Sequence, residues 1–94
     1  MREFETLVDF LMPDLGLTRG GANVGTWLVD VGAEVLRGEG LLEVTADGIV
    51  IDLPAPTDGV LHAVFVAEDD PLLPGQRLAT IVFSESSAAS SAPK

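Results

Sequence analysis

The feature that most constrains the fold of this chain is an internal repeat. Moving the sequence by 37 positions places "WLVDVGAEVLRGEGLLEV" (residues 27–44) over "VFVAEDDPLLPGQRLATI" (residues 64–81). The coinciding positions are apolar or glycine: Leu28 and Phe65, Val29 and Val66, Val35 and Leu72, Gly38 and Gly75, Leu41 and Leu78, Val44 and Ile81. Neither copy could bury its apolar face alone, so the repeat predicts two small antiparallel sheets packed face to face about a pseudo-twofold axis.

Strand-like runs alternate with Gly, Pro and Asp between residues 7 and 83, which is typical of an all-β domain. We predict six strands and two shorter extended pieces: Leu7–Met12, Val24–Val31, Leu41–Ala46, Ile49–Leu53, Gly59–Val66, Arg77–Phe83, Glu34–Leu36 and Pro71–Leu73. The polar residues 1–6 are expected to form a disordered N-terminal tail. Residues 84–94, "SESSAASSAPK", hold no apolar residue larger than Ala, so we expect a flexible Ser/Ala-rich linker or tail.

Composition removes several classes of function. Fifteen acidic residues against five basic ones give a formal net charge of -10, which would repel nucleic acid and anionic membrane surfaces. The absence of cysteine excludes disulfides, thiolate catalysis and cysteine-ligated zinc. No apolar run approaches the roughly 20 residues that a membrane helix needs, and "MREFETLVDF" lacks the pattern of a signal peptide. The expectation is therefore a single cytoplasmic domain whose partners are proteins.

The segment "EVTADGIVIDLP" (residues 43–54) predicts a tight hairpin around Asp47-Gly48. In a type I′ turn both central residues need positive φ, which Asp tolerates and Gly accepts freely. Counting outward from the turn gives pairs that form an apolar core face: Ala46 with Ile49, Val44 with Ile51, and Leu42 with Leu53. The opposite face pairs Thr45 with Val50 and Glu43 with Asp52. Two acids directly opposed are slightly unfavourable, so the pair is either a recognition feature or a solvated and screened surface.

Four segments together resemble the biotinyl/lipoyl attachment domain family, and most of all the lipoyl domains of 2-oxo acid dehydrogenase acyltransferase subunits. They occur in order and without gaps between about Phe10 and Ile81: "MPDLGLT", "WLVDVGAEVLRGEGLLEV", "DGIVIDLPAPTDGVL" and "LLPGQRLATI". The resemblance implies a flattened barrel or sandwich of two four-stranded antiparallel sheets with pseudo-twofold symmetry. In that family a hairpin lysine carries lipoate and moves acyl groups between a thiamine-diphosphate-dependent decarboxylase and an acyltransferase.

The chain departs from the family at the residue that carries the cofactor. The family has Asp-Lys at the hairpin tip, whereas this chain has Asp47-Gly48, and its only lysine is Lys94. An amide to lipoate or biotin requires a primary amine, so we expect no cofactor on this hairpin. The loop "GLTRGGANVGT", which in the family lies beside the hairpin, holds Arg19 and Asn23 where acidic residues are common. Candidates for docking are therefore Glu43, Asp47, Asp52, Arg19 and Asn23, although a flexible connector explains the loop equally well.

Other motifs do not combine into a catalytic or metal site. The only histidine is His62, every serine lies at position 84 or beyond, and Glu68-Asp69-Asp70 lacks the ligand spacing of a calcium loop. We therefore predict a non-enzymatic module, either a docking or spacer domain of a 2-oxo acid dehydrogenase or acyltransferase system, or a freestanding protein-binding module on the same scaffold. An adaptor of the efflux type shares the half-motifs, but such proteins usually insert a long helical hairpin where this chain has two turn residues.

Overall fold

The computed structural model describes residues 5–16 and 21–84, and all regular structure in this part is β-strand. The strands are β1 (Glu5–Leu11), β2 (Ala22–Trp27), β3 (Glu34–Val35), β4 (Gly40–Ala46), β5 (Ile49–Pro54), β6 (Gly59–Val64), β7 (Pro71–Leu72) and β8 (Arg77–Ser84). They form two antiparallel four-stranded sheets with the orders β1-β8-β6-β3 and β5-β4-β2-β7. The predicted all-β fold of two such sheets is confirmed, and because each sheet is hydrogen-bonded separately it is a sandwich and not a closed barrel.

All eight predicted strands are present, but most of their boundaries differ from the predicted ones by one to four residues. Glu5 and Thr6, assigned above to the N-terminal tail, belong to β1, and Ser84, assigned to the C-terminal tail, belongs to β8. Glu5 pairs with Ser84, and Thr6 pairs with Phe83. Strand β2 ends at Trp27, four residues before the predicted end, and β6 ends at Val64, two residues before it. The chain leaves each sheet there to form a short strand, β3 or β7, in the other sheet. The rest of the predicted tails, residues 1–4 and 85–94, lies outside the described residues.

The pseudo-twofold symmetry predicted from the repeat is present in the backbone hydrogen bonds. The Leu28 N–H donates to the Leu41 carbonyl at 2.8 Å, and the equivalent Phe65 N–H donates to the Leu78 carbonyl at 2.9 Å. Adding 37 to the residue numbers of β2, β3 and β4 gives the positions of β6, β7 and β8, and in each case the equivalent strand lies in the other sheet. The symmetry therefore relates whole strands and their connections, and not only their apolar patterns.

Irregularities in the sheets obey the same symmetry. The β2–β4 pairing shifts register between Val24 and Thr26, and the β6–β8 pairing shifts at the equivalent position, between Leu61 and Ala63. The β4–β5 and β1–β8 pairings each skip one leucine, which is Leu41 in the first and Leu78 in the second. A skipped residue adds twist and bends its strand, so both sheets curve at matching places.

The core lies between the two sheets and is aliphatic. Its fully buried side chains come from the symmetric strands of both repeats and from β5: Leu41, Leu42, Leu53, Leu61, Leu78, Ile81, Val24, Val35 and Val44. Trp27 packs against this core at its edge, where its Nε1–H donates to the Val66 carbonyl at 3.0 Å. Its ring also meets Phe10 edge-on, with centroids 6.3 Å apart. Trp27 of the first repeat is therefore joined to the second repeat by this hydrogen bond.

The symmetry also determines where the β4–β5 hairpin tip lies. Strand β4 leads into β5 through residues 47 and 48, and β5 occupies in its sheet the place that β1 occupies in the other. The symmetric counterpart of the tip is the point where β8 ends beside the start of β1, with Ser84 opposite Glu5. A turn therefore joins β4 to β5 at the tip, whereas the equivalent strands β8 and β1 are not consecutive in the chain.

Candidate functional site at the hairpin tip

The tip of the β4–β5 hairpin has the geometry predicted from Asp47-Gly48. Asp47 has φ 52° and Gly48 has φ 79°, as a two-residue type I′ turn requires. Both residues are exposed, and a Cβ added to Gly48 would have no atom within 4 Å. The tip therefore presents its backbone and the Asp47 carboxylate to open space.

The hairpin register is confirmed at all five predicted pairs. Strand β4 pairs with β5 as follows: Ala46 with Ile49, Thr45 with Val50, Val44 with Ile51, Glu43 with Asp52, and Leu42 with Leu53. The turn sets this register, because a two-residue loop leaves no choice in the first pair and each later pair follows by counting.

The prediction that one hairpin face is buried throughout is wrong at Ile49. Ala46, Val44 and Leu53 are buried, but Ile51 is half-buried and Ile49 is 57% exposed. Strand β5 is an edge strand in the order β5-β4-β2-β7, so the start of β5 has a neighbour on one side only. Next to Ile49, Val50 is 59% exposed on the opposite face, and the tip therefore carries an exposed apolar residue on each side.

Sequence reasoning missed this apolar flank because it assigned Ile49 to the core by alternation alone. The signal that could have indicated it is the position of Ile49 directly after the turn, in a strand followed by "PAP". Proline is placed mainly on edge strands and at strand ends, so β5 was the candidate edge strand.

The acidic pair lies on the outer face of the same hairpin. Glu43 and Asp52 are directly opposite each other, with Glu43 half-buried and Asp52 exposed. The Glu43 side chain runs along β2, where one carboxylate oxygen would lie 3.2 Å from a Cβ added at Gly25. No Lys or Arg belongs to β2, β4, β5 or β7, so the described strands of this sheet hold no cation to neutralise the pair.

Asn23 joins this surface through β2, whereas Arg19 lies outside the described residues. Asn23 is exposed and pairs with Thr45 of β4. Its side-chain Nδ2 donates to the Asp69 carbonyl at 3.3 Å, which connects β2 to the acidic turn before β7. The structure thus brings four of the five docking candidates, Asn23, Glu43, Asp47 and Asp52, into the sheet that carries the hairpin.

A surface cavity of about 110 Å³ adjoins this end of the sheet. Its lining includes Met12 and Leu15 of the β1–β2 connection, Ala22 at the start of β2 and Leu72 at the end of β7. Ala22 pairs with Ala46, the last residue of β4 before the tip, and with Leu72 on its other side. The cavity is therefore next to the hairpin and is mainly apolar.

The remaining candidate motifs do not assemble with the hairpin. His62 lies exposed at the β6 bulge, and Asp58 accepts a hydrogen bond from the Arg37 N–H at 2.8 Å. The Asp70 carboxylate accepts one from the Ala67 N–H at 2.8 Å, within its own turn. Across residues 5–16 and 21–84, no three His, Asp or Glu side chains are placed to hold a metal ion.

The fold and the tip define a class of protein: a pseudo-symmetric β-sandwich that displays one exposed two-residue hairpin turn. The chain matches the biotinyl/lipoyl domain family, described as "Biotin-requiring enzyme", over residues 8–81. It belongs to this family, as the resemblance of its four segments had implied, and a domain of this family is a carrier domain.

Curated proteins similar to the chain are acyltransferase components. It is 35% identical over 85 residues to the dihydrolipoyllysine-residue succinyltransferase component of the 2-oxoglutarate dehydrogenase complex of Haemophilus influenzae, covering 90% of this chain and 21% of that protein. The corresponding component of Escherichia coli K12 is 43% identical over 61 residues, or 65% of this chain and 15% of that protein.

A third relative comes from a different dehydrogenase complex. The dihydrolipoyllysine-residue acetyltransferase component of the pyruvate dehydrogenase complex of Mycobacterium bovis is 36% identical over 84 residues, covering 89% of this chain and 15% of that protein. The chain thus spans about a fifth or less of the length of these relatives. Within its described residues there is no helix long and apolar enough to cross a membrane.

Proposed function

We propose that this chain is a lipoyl-type domain of a 2-oxo acid dehydrogenase or acyltransferase system that is not lipoylated at its hairpin and acts as a docking or spacer module. The observation that carries the proposal is the tip itself. The residue at the centre of the exposed turn is Gly48, which has no side chain and hence no amine for an amide bond. The neighbouring Asp47 carboxylate is an acceptor and cannot replace an amine.

Two further observations support a role in docking. The relatives named above are components of 2-oxoglutarate and pyruvate dehydrogenase complexes, so proteins with similar domains work in assemblies. The exposed Ile49 and Val50 beside the tip offer apolar surface that a partner could cover. The partners that fit are a thiamine-diphosphate-dependent decarboxylase or an acyltransferase core.

Co-expression with lipoate and biotin ligases tests the unmodified hairpin. Intact mass of the native chain should show neither adduct, whereas Gly48→Lys should gain a lipoyl group because open space surrounds the new side chain. Gly48→Ala is the matched control, since it has the same backbone strain without an amine. Lys94→Arg in the native background removes the only lysine side chain of the chain.

Each outcome of this experiment bears on the proposal. A lipoyl adduct on the native chain that survives Lys94→Arg would contradict the claim that the hairpin is unmodified. A folded Gly48→Lys chain that stays bare would contradict the claim that the surface is still that of a lipoyl domain. Binding of the native chain to a purified decarboxylase component, measured by calorimetry, tests the docking role, and loss of binding in Ile49→Ser/Val50→Ser is the expected result.

The confirmed Glu43–Asp52 pair favours a second candidate, a freestanding module that binds a protein with a basic face. The two opposed carboxylates would then attract the basic face of the partner, and added salt would weaken this attraction. Glu43→Gln/Asp52→Asn should weaken binding to such a partner and flatten its salt dependence. The control, Glu5→Gln/Glu34→Gln on the other sheet, should leave binding unchanged, and equal effects of the two double variants would argue against this role.

A further inference from the structure

We propose that Asp47–Gly48 is a site of spontaneous backbone isomerisation, where the chain dehydrates to a succinimide and reopens to isoaspartate. The chain holds a second Asp-Gly pair, Asp58–Gly59, and the same structure keeps that pair unreactive. The inference is thus about selectivity between two chemically identical dipeptides. It does not depend on the proposed function.

The chemistry needs only water. The Gly48 nitrogen attacks Cγ of Asp47, a C–N bond forms, a C–O bond breaks, and one water leaves with the proton from nitrogen. Water then adds to either carbonyl of the five-membered ring. Addition at Cγ restores aspartate, and addition at the α-carbonyl leaves the main chain running through Cβ and Cγ, which is isoaspartate.

The tip meets the three conditions that this attack requires. First, no side chain shields the attacking nitrogen, because glycine has none and no residue other than its two chain neighbours comes within 4 Å of a Cβ position on Gly48. Second, the two central residues lie outside the ladder, whose last pair is Ala46 with Ile49. Third, Asp47 is exposed, and no described residue donates a hydrogen bond to its carboxylate. The carboxylate is therefore not held away from the Gly48 nitrogen.

Backbone conformation adds to the reactivity of the tip. Asp47 is one of two described non-glycine residues with positive φ, at 52°. Asp tolerates this region better than most residues with a side chain, but it is still less favourable there than glycine. Isomerisation removes the constraint, because it places an additional methylene in the main chain between Ala46 and Gly48.

The second pair is restrained at both of its residues. The Asp58 carboxylate oxygen Oδ1 accepts a hydrogen bond from the Arg37 N–H at 2.8 Å, which cyclisation would break. Gly59 lies in β6 and pairs with Val35, so its nitrogen cannot move without disturbing the sheet. A Cβ added at Gly59 would collide with the Val82 carbonyl oxygen, which shows how closely the backbone is enclosed there.

The modification would give the hairpin two chemical forms with the same charge. In the isoaspartate form the α-carboxylate becomes a branch at the tip, and the longer main chain alters the turn that sets the Ala46–Ile49 pair. Any partner that contacts the tip would meet a different shape. A chain that ages in this way would therefore lose tip-dependent contacts while its core stays folded.

Peptide mapping in isotopically heavy-oxygen water tests the proposal. The full chain is incubated at neutral pH and physiological temperature, once folded and once in concentrated urea, then digested and fragmented by electron transfer. In the folded chain we expect isoaspartate and one incorporated heavy oxygen at position 47. Position 58 should show neither. In urea both pairs should convert, since the restraints on the second pair are then absent.

Two variants separate chemistry from folding. Asp47→Glu keeps the charge but would need a six-membered ring, so the signal at position 47 should be lost. Asp47→Asn keeps a residue that the turn favours and reacts by losing ammonia, so conversion should be faster. Equal conversion of both pairs in the folded chain, conversion at position 58 alone, or no conversion at position 47 would each overturn the proposal.

Discussion

At the scale of single residues, Gly48 is held in a conformation that side chains disfavour. Its φ of 79° lies in the left-handed region, and its surroundings are open, so any effect of substitution is a backbone effect. We expect Gly48→Ala to lower the free energy of unfolding by about 1 kcal/mol. Gly48→Asn should lower the free energy of unfolding by less, because Asn tolerates the left-handed region. Urea unfolding measures both, and equal losses would show that the turn is not of the observed type.

Thr80 is the second residue with a clear expectation. It is 5% exposed in the central strand β8, and its hydroxyl has no hydrogen-bond partner among the described residues. A buried hydroxyl without a partner destabilises the folded state, whereas Val has nearly the same shape and no polar atom. Thr80→Val should therefore raise the free energy of unfolding by about 1 kcal/mol.

The control for Thr80 is Thr45, which lies exposed in β4. Thr45→Val should leave the urea midpoint nearly unchanged, because its hydroxyl is solvated in both states. A Thr80→Val chain less stable than the native one would mean that the hydroxyl is satisfied in solution.

At the scale of elements, two turns repeat one device. The Leu36 N–H donates to the Glu39 side chain at 3.0 Å, and the equivalent Leu73 N–H donates to the Gln76 side chain at 2.9 Å. Each side chain therefore closes the turn that leads into β4 or β8. Because one repeat uses a carboxylate and the other an amide, the oxygen acceptor is what the turn requires.

Removing that acceptor should destabilise either turn. Glu39→Ala and Gln76→Ala should each lower the free energy of unfolding by about 1 kcal/mol, since a backbone donor loses its partner. Glu39→Gln should be close to neutral, because it keeps the acceptor oxygen and copies the second repeat. Thermal or urea unfolding of the three variants measures these changes. If Glu39→Gln lowered the free energy of unfolding as much as Glu39→Ala does, the stabilisation would come from the charge of Glu39 and not from its acceptor oxygen.

The elements also show how far the sequence predicts the fold. The hairpin register was predictable because a two-residue turn and a period of two determine every pair. The exposure of Ile49 does not follow from that alternation, since it depends on which strand lies at the sheet edge, for which the following prolines were the only sequence signal. The bulge that skips Leu41 was hidden for a similar reason, because Leu41 and Leu42 are both fully buried and break the alternation that strand prediction assumes.

The candidate site divides in the same way. The position of Asp47-Gly48 at an exposed tip followed from local turn chemistry, and the opposed Glu43 and Asp52 followed from the register. The contact between Asn23 and the Asp69 carbonyl joins residues far apart in the chain and had no local signal. Long-range placement of this kind is determined by the exchange of β3 and β7 between the sheets.

At the scale of the whole molecule, the two repeats cannot separate without opening the core. Strand β3 of the first repeat sits in the sheet of the second, and β7 of the second sits in the sheet of the first. The Gly32 N–H donates to the Leu61 carbonyl at 2.8 Å, and the equivalent Asp69 N–H donates to the Val24 carbonyl at 2.9 Å. This exchange of strands and hydrogen bonds makes the sandwich one cooperative unit.

Cooperativity can be tested with a pair of symmetric leucines. Leu41 and Leu78 are both fully buried at the equivalent bulges of β4 and β8. Leu41→Ala and Leu78→Ala should each lower the free energy of unfolding by about 2–5 kcal/mol. Trp27 fluorescence and circular dichroism should report one coincident transition in both variants, because loss of packing in either repeat unfolds the whole domain.

The control is Leu73→Ala, at a side chain that is 71% exposed, which should leave the unfolding midpoint unchanged. Two separate transitions, or a Trp27 signal that follows only one of the two core variants, would mean that the repeats fold independently despite the exchanged strands.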